Sequence, residues 1–232
     1  MKLALIGYPV EHSLSPALYR SLLGAELETY DLLPFKDSAA IPELAEFGRR
    51  YDGINITAPY KTHFFRQVEV ESALVRKIGA INTISFQGPV VQGTNTDLLA
   101  VNEILLRQRR QFKKLNLIVL GGGVMSSVTT LIAEQLALPV KVLSRNAVDD
   151  LSTIDLRLHR RAGHQNLIIN ACSRDYVFRG ELDSDDIFWD YNYSISAHEA
   201  SLPKLVKSYQ DGRELLELQA FHAVQFWNAN KV

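Results

Sequence analysis

The chain has 232 residues, long for one small domain and short for two full-sized ones at roughly 150 residues each. Hydrophobic residues make up 47% and charged residues 22%, the balance of a globular chain that can bury a sizeable core. A net charge of −1 supplies no overall basic field for nucleic acid or anionic lipid, and a single cysteine excludes an internal disulfide or a multi-cysteine zinc site.

Leu3 to Ile6 is a continuous apolar run ending at Gly7 and Pro9, the pattern of a buried parallel strand. Ser15-Pro16 predicts a helix start with the serine as cap, and Leu18, Leu22 and Leu23 follow at helical spacing. Glu28 to Leu33 alternates like a strand, Ile41 to Phe47 reads as a helix, and Gly53 to Thr57 as a strand halted by Pro59. The segment through Lys77 reads as helical. Ile81 to Phe86 and Val90-Val91 predict a hairpin around Gln87-Gly88. Asp97 to Gln111 is a helix, after which the basic run Arg107 to Lys114 reads as a solvated helix end and loop. Leu115 to Leu120 is a strand running into Gly121-Gly122-Gly123, followed by a helix over Val124 to Leu136. Strands are expected at Val140 to Leu143, Leu167 to Ile169 and Ile187 to Trp189, and an amphipathic helix from Glu214 to Trp227. The alternation predicts two successive α/β units. The apolar run before Gly7 is too short for a signal-peptide core, and no segment approaches the ~18 uncharged apolar residues of a membrane span. The expectation is a cytoplasmic protein, monomeric or homodimeric, that takes a small molecule and touches neither nucleic acid nor membrane.

A glycine turn between a strand and a helix is the setting of a pyrophosphate site, because glycine permits close backbone approach and the helix amides face the anion. The third glycine of the usual fingerprint is missing, and such a turn also serves simply to join two elements. The next strand ends in Ser144-Arg145, where an arginine suits a 2′-phosphate and an acidic residue would suit a free 2′-hydroxyl. Asp149 and Asp150 follow closely and weaken that inference. In the first third, His12 to Pro16, Asn55 to Lys61 and Asn95-Thr96-Asp97 lie at strand ends. Each has an ordinary explanation: Ser15 as a cap, Asn55 and Thr57 as turn residues, Lys61 as a surface lysine. Together they offer neutral hydroxyls and amides, one lysine and one carboxylate, with no metal-ligand cluster. That set suits a small polyhydroxylated acid and proton transfer.

In Ile6-Gly7-Tyr8-Pro9-Val10-Glu11-His12-Ser13-Leu14-Ser15-Pro16, the chain resembles the opening signature of the shikimate dehydrogenases. Asn55-Ile56-Thr57-Ala58-Pro59-Tyr60-Lys61, Gly79 to Thr83 and Asn95-Thr96-Asp97 are similar to that family's next blocks, in order. Weaker likeness continues through the glycine turn, Ser144-Arg145, Ile169 to Ala171, Asp190 to Tyr193, Asp211-Gly212 and Gln219-Ala220. The resemblance implies an α/β fold with a substrate domain over residues 1–97 and 211–232 and a shortened Rossmann-like NADP domain over 98–210. It implies a C-terminal helix returning to the substrate domain, although the chain ends soon after Trp227, without the family's last helix.

The implied reaction is the reversible NADPH-dependent reduction of 3-dehydroshikimate to shikimate, a step toward chorismate and the aromatic amino acids. Lys61 and Asp97 would form the proton-transfer pair. Ser13, Ser15 and Tyr193 would hold the substrate carboxylate, and Thr57, Asn82 and Gln219 the ring hydroxyls. Gly121, Gly122, Gly123, Val124, Ser126, Ser144, Arg145 and Gly212 would hold NADP, and no metal is implied. A lysine serves in either protonation state: as an amine it accepts the hydroxyl proton, and as an ammonium it steadies the developing oxyanion.

The departures from the family lie on the cofactor side. Val124 stands where another glycine is usual, and Ser144 and Asn146 flank Arg145 in place of asparagine and threonine. Cys172-Ser173-Arg174-Asp175 replaces a threonine-rich, Gly-Met loop, and Arg213-Glu214 follows Gly212 in place of small, apolar residues. The stretch from Arg145 to Leu167 is too short for a full helix and strand. Cys172 reads as a strand-end residue and not as a nucleophile, since no histidine motif accompanies it. Two expectations follow: a compact enzyme, or a catalytically weak or inactive shikimate-binding homologue with a degenerate nucleotide site. A quinate-accepting or NAD-using relative is a third.

Overall fold

The computed structural model describes residues 1–147 and 150–231; Asp149 lies outside them. The chain forms two compact units, Met1–Ala100 with Leu216–Val232, and Val101–Leu215.

The first unit is built on β1 (Lys2–Gly7), α1 (Ser15–Leu23), β2 (Thr29–Pro34), α2 (Leu44–Gly48), β3 (Gly53–Ile56), α3 (Ala73–Ile78), β4 (Thr83–Ser85) and β5 (Gln92–Thr94). Its sheet has the order β2-β1-β3-β4-β5. β1 pairs in parallel with β2 and β3, while β4 runs antiparallel to both β3 and β5. The chain leaves β1 to one side for β2 and returns on its other side for β3. The carboxyl ends of β1 and β3 therefore border a switch point, where open α/β sheets receive ligands.

Three local expectations shift. Ser15 is the first helical residue of α1 and not its cap; Leu14 holds the cap position, and no side chain caps the helix. The segment before Lys77 is helical only from Ala73, with a single 3-10 turn at Phe65–Gln67 before it. The second hairpin strand pairs through Gln92–Thr94, two residues beyond Val90, with Ser85 opposite Gln92. Apolar content alone does not say where a short edge strand starts to pair.

α4 (Thr96–Gln111) contains the boundary into the second unit. That unit adds β6 (Leu115–Leu120), α5 (Val124–Gln135), β7 (Val140–Leu143), β8 (Gln165–Asn170), β9 (Ile187–Asp190), α6 (Ser196–Ser201) and β10 (Ser208–Gln210). The order is β10-β9-β8-β6-β7 and every pairing is parallel. β6 and β8 are buried along almost their whole length, which accounts for the apolar stretches 117–120 and 167–169 within them. Between β7 and β8 the described residues form only a 3-10 turn, Leu156–His159, and no crossover helix, in line with the short spacing. α7 (Arg213–Ala229) contains the boundary back into the first unit. There its Ala220, Ala223 and Trp227 pack with Leu3, Tyr19, Leu23 and Leu27. Among the described residues no helix is long and apolar enough to cross a membrane.

Candidate active site

In the first unit the loops after β1 and β3 are laced together at their roots. The Thr57 amide donates to the Ile6 carbonyl at 2.8 Å and the Tyr8 amide to the Ala58 carbonyl at 3.0 Å. After β1, the Ser13 hydroxyl accepts from the Ser15 amide at 3.2 Å, which holds both serines at the start of α1. After β3, the Tyr60 hydroxyl donates to the Phe35 carbonyl at 2.6 Å. The Lys61 carbonyl accepts from the Ile81 amide at 2.8 Å. The lysine backbone is thus fixed although it lies outside any helix or strand.

The Lys61 ammonium reaches the Asp97 carboxylate, Nζ to Oδ2 2.8 Å, with side chains only 14% and 11% exposed. Asp97 sits in the first turn of α4, so its carboxylate lies at the positive end of that helix. Asn82 and Asn95 build this helix start. The Asn82 Oδ1 accepts from the Thr96 amide at 2.7 Å, and the Asn95 Oδ1 from the Leu98 amide at 3.1 Å. Thr96 is the hub: its hydroxyl accepts from Asn82 Nδ2 at 3.0 Å and reaches Gln219 Oε1 at 3.4 Å. Asn55 joins from below, with Nδ2 donating to Thr83 Oγ1 at 3.2 Å and Oδ1 accepting from Tyr30 at 2.9 Å. Lys61 and Asp97 are thus together, and Asn82 and Gln219 meet at Thr96. Tyr193 and Gly212 belong to the second unit. The supporting roles of Thr96 and Asn95 were visible only as one polar triplet at a helix start, and nothing in the sequence pointed to Tyr30.

In the second unit the glycine turn follows β6 at that sheet's own switch point, with β7 on one side and β8 on the other. Gly121 adopts φ +111°, and a Cβ there would lie 2.9 Å from the Ala171 carbonyl oxygen; only glycine accepts both conditions. A Cβ on Gly122 would approach Ser144, whereas nothing lies within 4 Å of one on Gly123. α5 starts at Val124, has no side-chain cap and carries no acidic residue in its first turn. A helix start of this kind, directly after a glycine turn, is a setting for a phosphate group. Arg145 is exposed one residue beyond Ser144, and forms no ion pair among the described residues. These features fit a dinucleotide with a 2′-phosphate. Val124 is half-buried and Ser126 buried. The Gly212 amide donates to the Asn192 carbonyl at 2.9 Å.

Asp190, from the family-like block after β8, has a structural task. It accepts from Asn170 Nδ2 at 2.6 Å, His198 Nδ1 at 2.8 Å and the Tyr209 hydroxyl at 2.7 Å. His198 Nε2 in turn accepts from the Phe178 amide at 2.7 Å. Asp190 and His198 are both 0% exposed. A His-Asp pair invites a catalytic reading, but with both ring nitrogens of His198 and both oxygens of Asp190 hydrogen-bonded within the protein and neither side chain exposed, this one ties the loop before β9 to the sheet.

Residues 5–84 match the family model described as the shikimate dehydrogenase substrate binding domain. The NADP-dependent shikimate dehydrogenase of Halobacterium salinarum is 31% identical over 155 residues, 64% of this chain and 57% of that protein. The enzyme of the same name from Ignicoccus hospitalis is 33% identical over 127 residues, covering 53% and 47%. The solved shikimate dehydrogenase of Aquifex aeolicus superposes with a TM-score of 0.76 at 21% identity, over 100% of this chain and 94% of that one. Over these stretches the chain is similar to the shikimate dehydrogenases. It spans less than two thirds of the length of these sequence relatives.

The loop after β8 carries Cys172 and Arg174. The Cys172 thiol is half-buried and pushed up to about 11, first by burial, with Arg145 opposing. It is therefore protonated near neutrality and no nucleophile. The Arg174 guanidinium stacks over the Tyr193 ring, 5.2 Å from its centroid. A cation–π contact of this kind orients both side chains at little cost.

Proposed function

We propose that this chain is an NADP-dependent shikimate dehydrogenase that interconverts 3-dehydroshikimate and shikimate, the first unit holding the substrate and the second the nucleotide. The observation that carries the proposal is the sheltered 2.8 Å pair of Lys61 and Asp97 at the helix start where Asn82, Thr96 and Gln219 converge. Its relatives are named shikimate dehydrogenase (NADP(+)), and a solved neighbour from Thermus thermophilus is a complex with NADP(H) and shikimate.

In this reading Ser13 and Ser15 donate to the substrate carboxylate, with Tyr193 assisting, and Thr57, Asn82 and Gln219 take the ring hydroxyls. When bound, the nicotinamide supplies a hydride to the carbonyl carbon or removes one from the alcohol carbon. Lys61 Nζ gives a proton to the oxygen during reduction and takes it back during oxidation. Asp97 keeps the amine aimed at that oxygen, and while the lysine is charged it stabilises negative charge building there. The amides at the start of α5 and the glycine turn receive the pyrophosphate, Ser144 and Arg145 the 2′-phosphate, and Gly212 lies by the nicotinamide.

The deciding experiment is shikimate-dependent reduction of NADP followed by NADPH absorbance, with NAD and quinate as parallel arms. Turnover with shikimate and NADP is expected. The altered Cys172–Asp175 loop favours the second reading, a binding protein without turnover. That reading stands if shikimate alone raises the melting temperature and NADP does not.

Arg145→Ala is expected to raise the KM for NADP by roughly 10- to 100-fold, the worth of charge-assisted hydrogen bonds to a phosphate. The KM for NAD should stay within about twofold, because NAD lacks the 2′-phosphate. Equal losses for both cofactors remove the assignment.

A further inference from the structure

Tyr19 stands on α1 four residues after Ser15 and is 0% exposed. Its ring stacks on Tyr30 with centroids 4.8 Å apart and planes 16° apart, and leans on Trp227 at 5.5 Å. Clamped on two sides, the ring gives its hydroxyl a single place to point. That hydroxyl is buried and closes no hydrogen bond. The side-chain amides of Asn55 and Gln219 approach it, and Asp97 is near enough to act on its charge.

A buried hydroxyl without a partner opposes folding, and phenylalanine would fill the same space without that penalty. Neither neighbour closes a hydrogen bond with it. The Asn55 Oδ1 already accepts from Tyr30 at 2.9 Å. Gln219 turns its Nε2 back to the Leu216 carbonyl of its own helix at 2.9 Å, which leaves Oε1 dependent on Thr96. The single proton of the Thr96 hydroxyl is contested, with Asn82 Oδ1 at 3.1 Å and Gln219 Oε1 at 3.4 Å. Gln219 Oε1 thus lacks a firm donor and the Tyr19 hydroxyl lacks an acceptor.

We infer that Tyr19 is a positioning residue for Gln219: when substrate arrives, the Gln219 amide swings off Leu216 toward a ring hydroxyl and its Oε1 takes the Tyr19 proton. The inference rests on the reading that Gln219 contacts substrate. It assigns Tyr19 no contact with substrate itself; the phenol decides which end of the amide faces the ligand.

The test is Tyr19→Phe, with melting temperature and shikimate affinity measured on the same protein by thermal shift. Because no hydrogen bond is lost in the ligand-free state, the melting temperature should be unchanged or higher. Shikimate should bind about three- to tenfold more weakly, the range for one neutral hydrogen bond, with KM raised and kcat within about twofold. In a Gln219→Ala background the same change should have no further effect on shikimate. A lower melting temperature with unaltered shikimate affinity makes Tyr19 a purely structural residue and overturns the inference. An equal loss in the Gln219→Ala background also overturns it. If wild-type protein does not respond to shikimate, the underlying reading falls and takes this one with it. If wild type responds and Tyr19→Phe matches it, this one falls alone.

Discussion

Lys61→Ala is expected to lower turnover by about 10²- to 10⁴-fold, the usual contribution of a positioned proton-transfer group, while shikimate binding remains measurable. The lysine stands 2.8 Å from Asp97 with only 14% of its side chain exposed, and an alanine in its place has no proton to give. Binding survives because the carboxylate and most ring hydroxyls are assigned to other residues, among them Ser13, Ser15, Thr57 and Asn82. The loss should fall on kcat and kcat/KM together, the pattern of an interaction made chiefly in the transition state. NADPH absorbance reads the rate, and thermal shift with shikimate reads the binding. Unchanged turnover would refute the role given to Lys61.

Trp227→Ala should lower stability by about 3–5 kcal/mol, the range for emptying a fully buried aromatic site. Trp227 is 0% exposed and its indole N–H donates to the Ile84 carbonyl at 2.9 Å. Its ring covers Gly53 so closely that a Cβ there would meet the indole nitrogen. The change should appear as a fall in melting temperature of about 6–20 °C for a chain of this size. A fall of under about 2 °C would mean that the C-terminal part of α7 is not integral to the first unit.

Where one physical signal dominates, the sequence was legible. β6 has the predicted bounds because a fully buried parallel strand needs a mainly apolar run. The glycine turn was readable because Gly121 has no alternative at its backbone angle. Ser15 misled because Ser-Pro looks like a cap wherever it occurs, whereas here Pro16 is the second helical residue. β10, three residues at the edge of its sheet, offers too little pattern to find. In the site, Lys61 and Asp97 were named from family likeness, while their contact over thirty-odd residues depends on how the sheet brings two loops to one edge. Tyr19 was not singled out in α1, because periodicity cannot distinguish a phenol from a phenyl ring. The task of Asp190 was hidden for a related reason. Its partners His198 and Tyr209 come from later elements, and only the fold brings them to one carboxylate.

The path of α7 also sets an order of events at the ribosome. Sheet strands made early in synthesis stay uncapped until the indole of Trp227 emerges, a delay on the order of ten seconds at usual elongation rates. The intervening segment, Val101–Leu215, is continuous and can mature during that interval. Nascent chains halted before Trp227 should therefore present a folded middle and a protease-sensitive beginning.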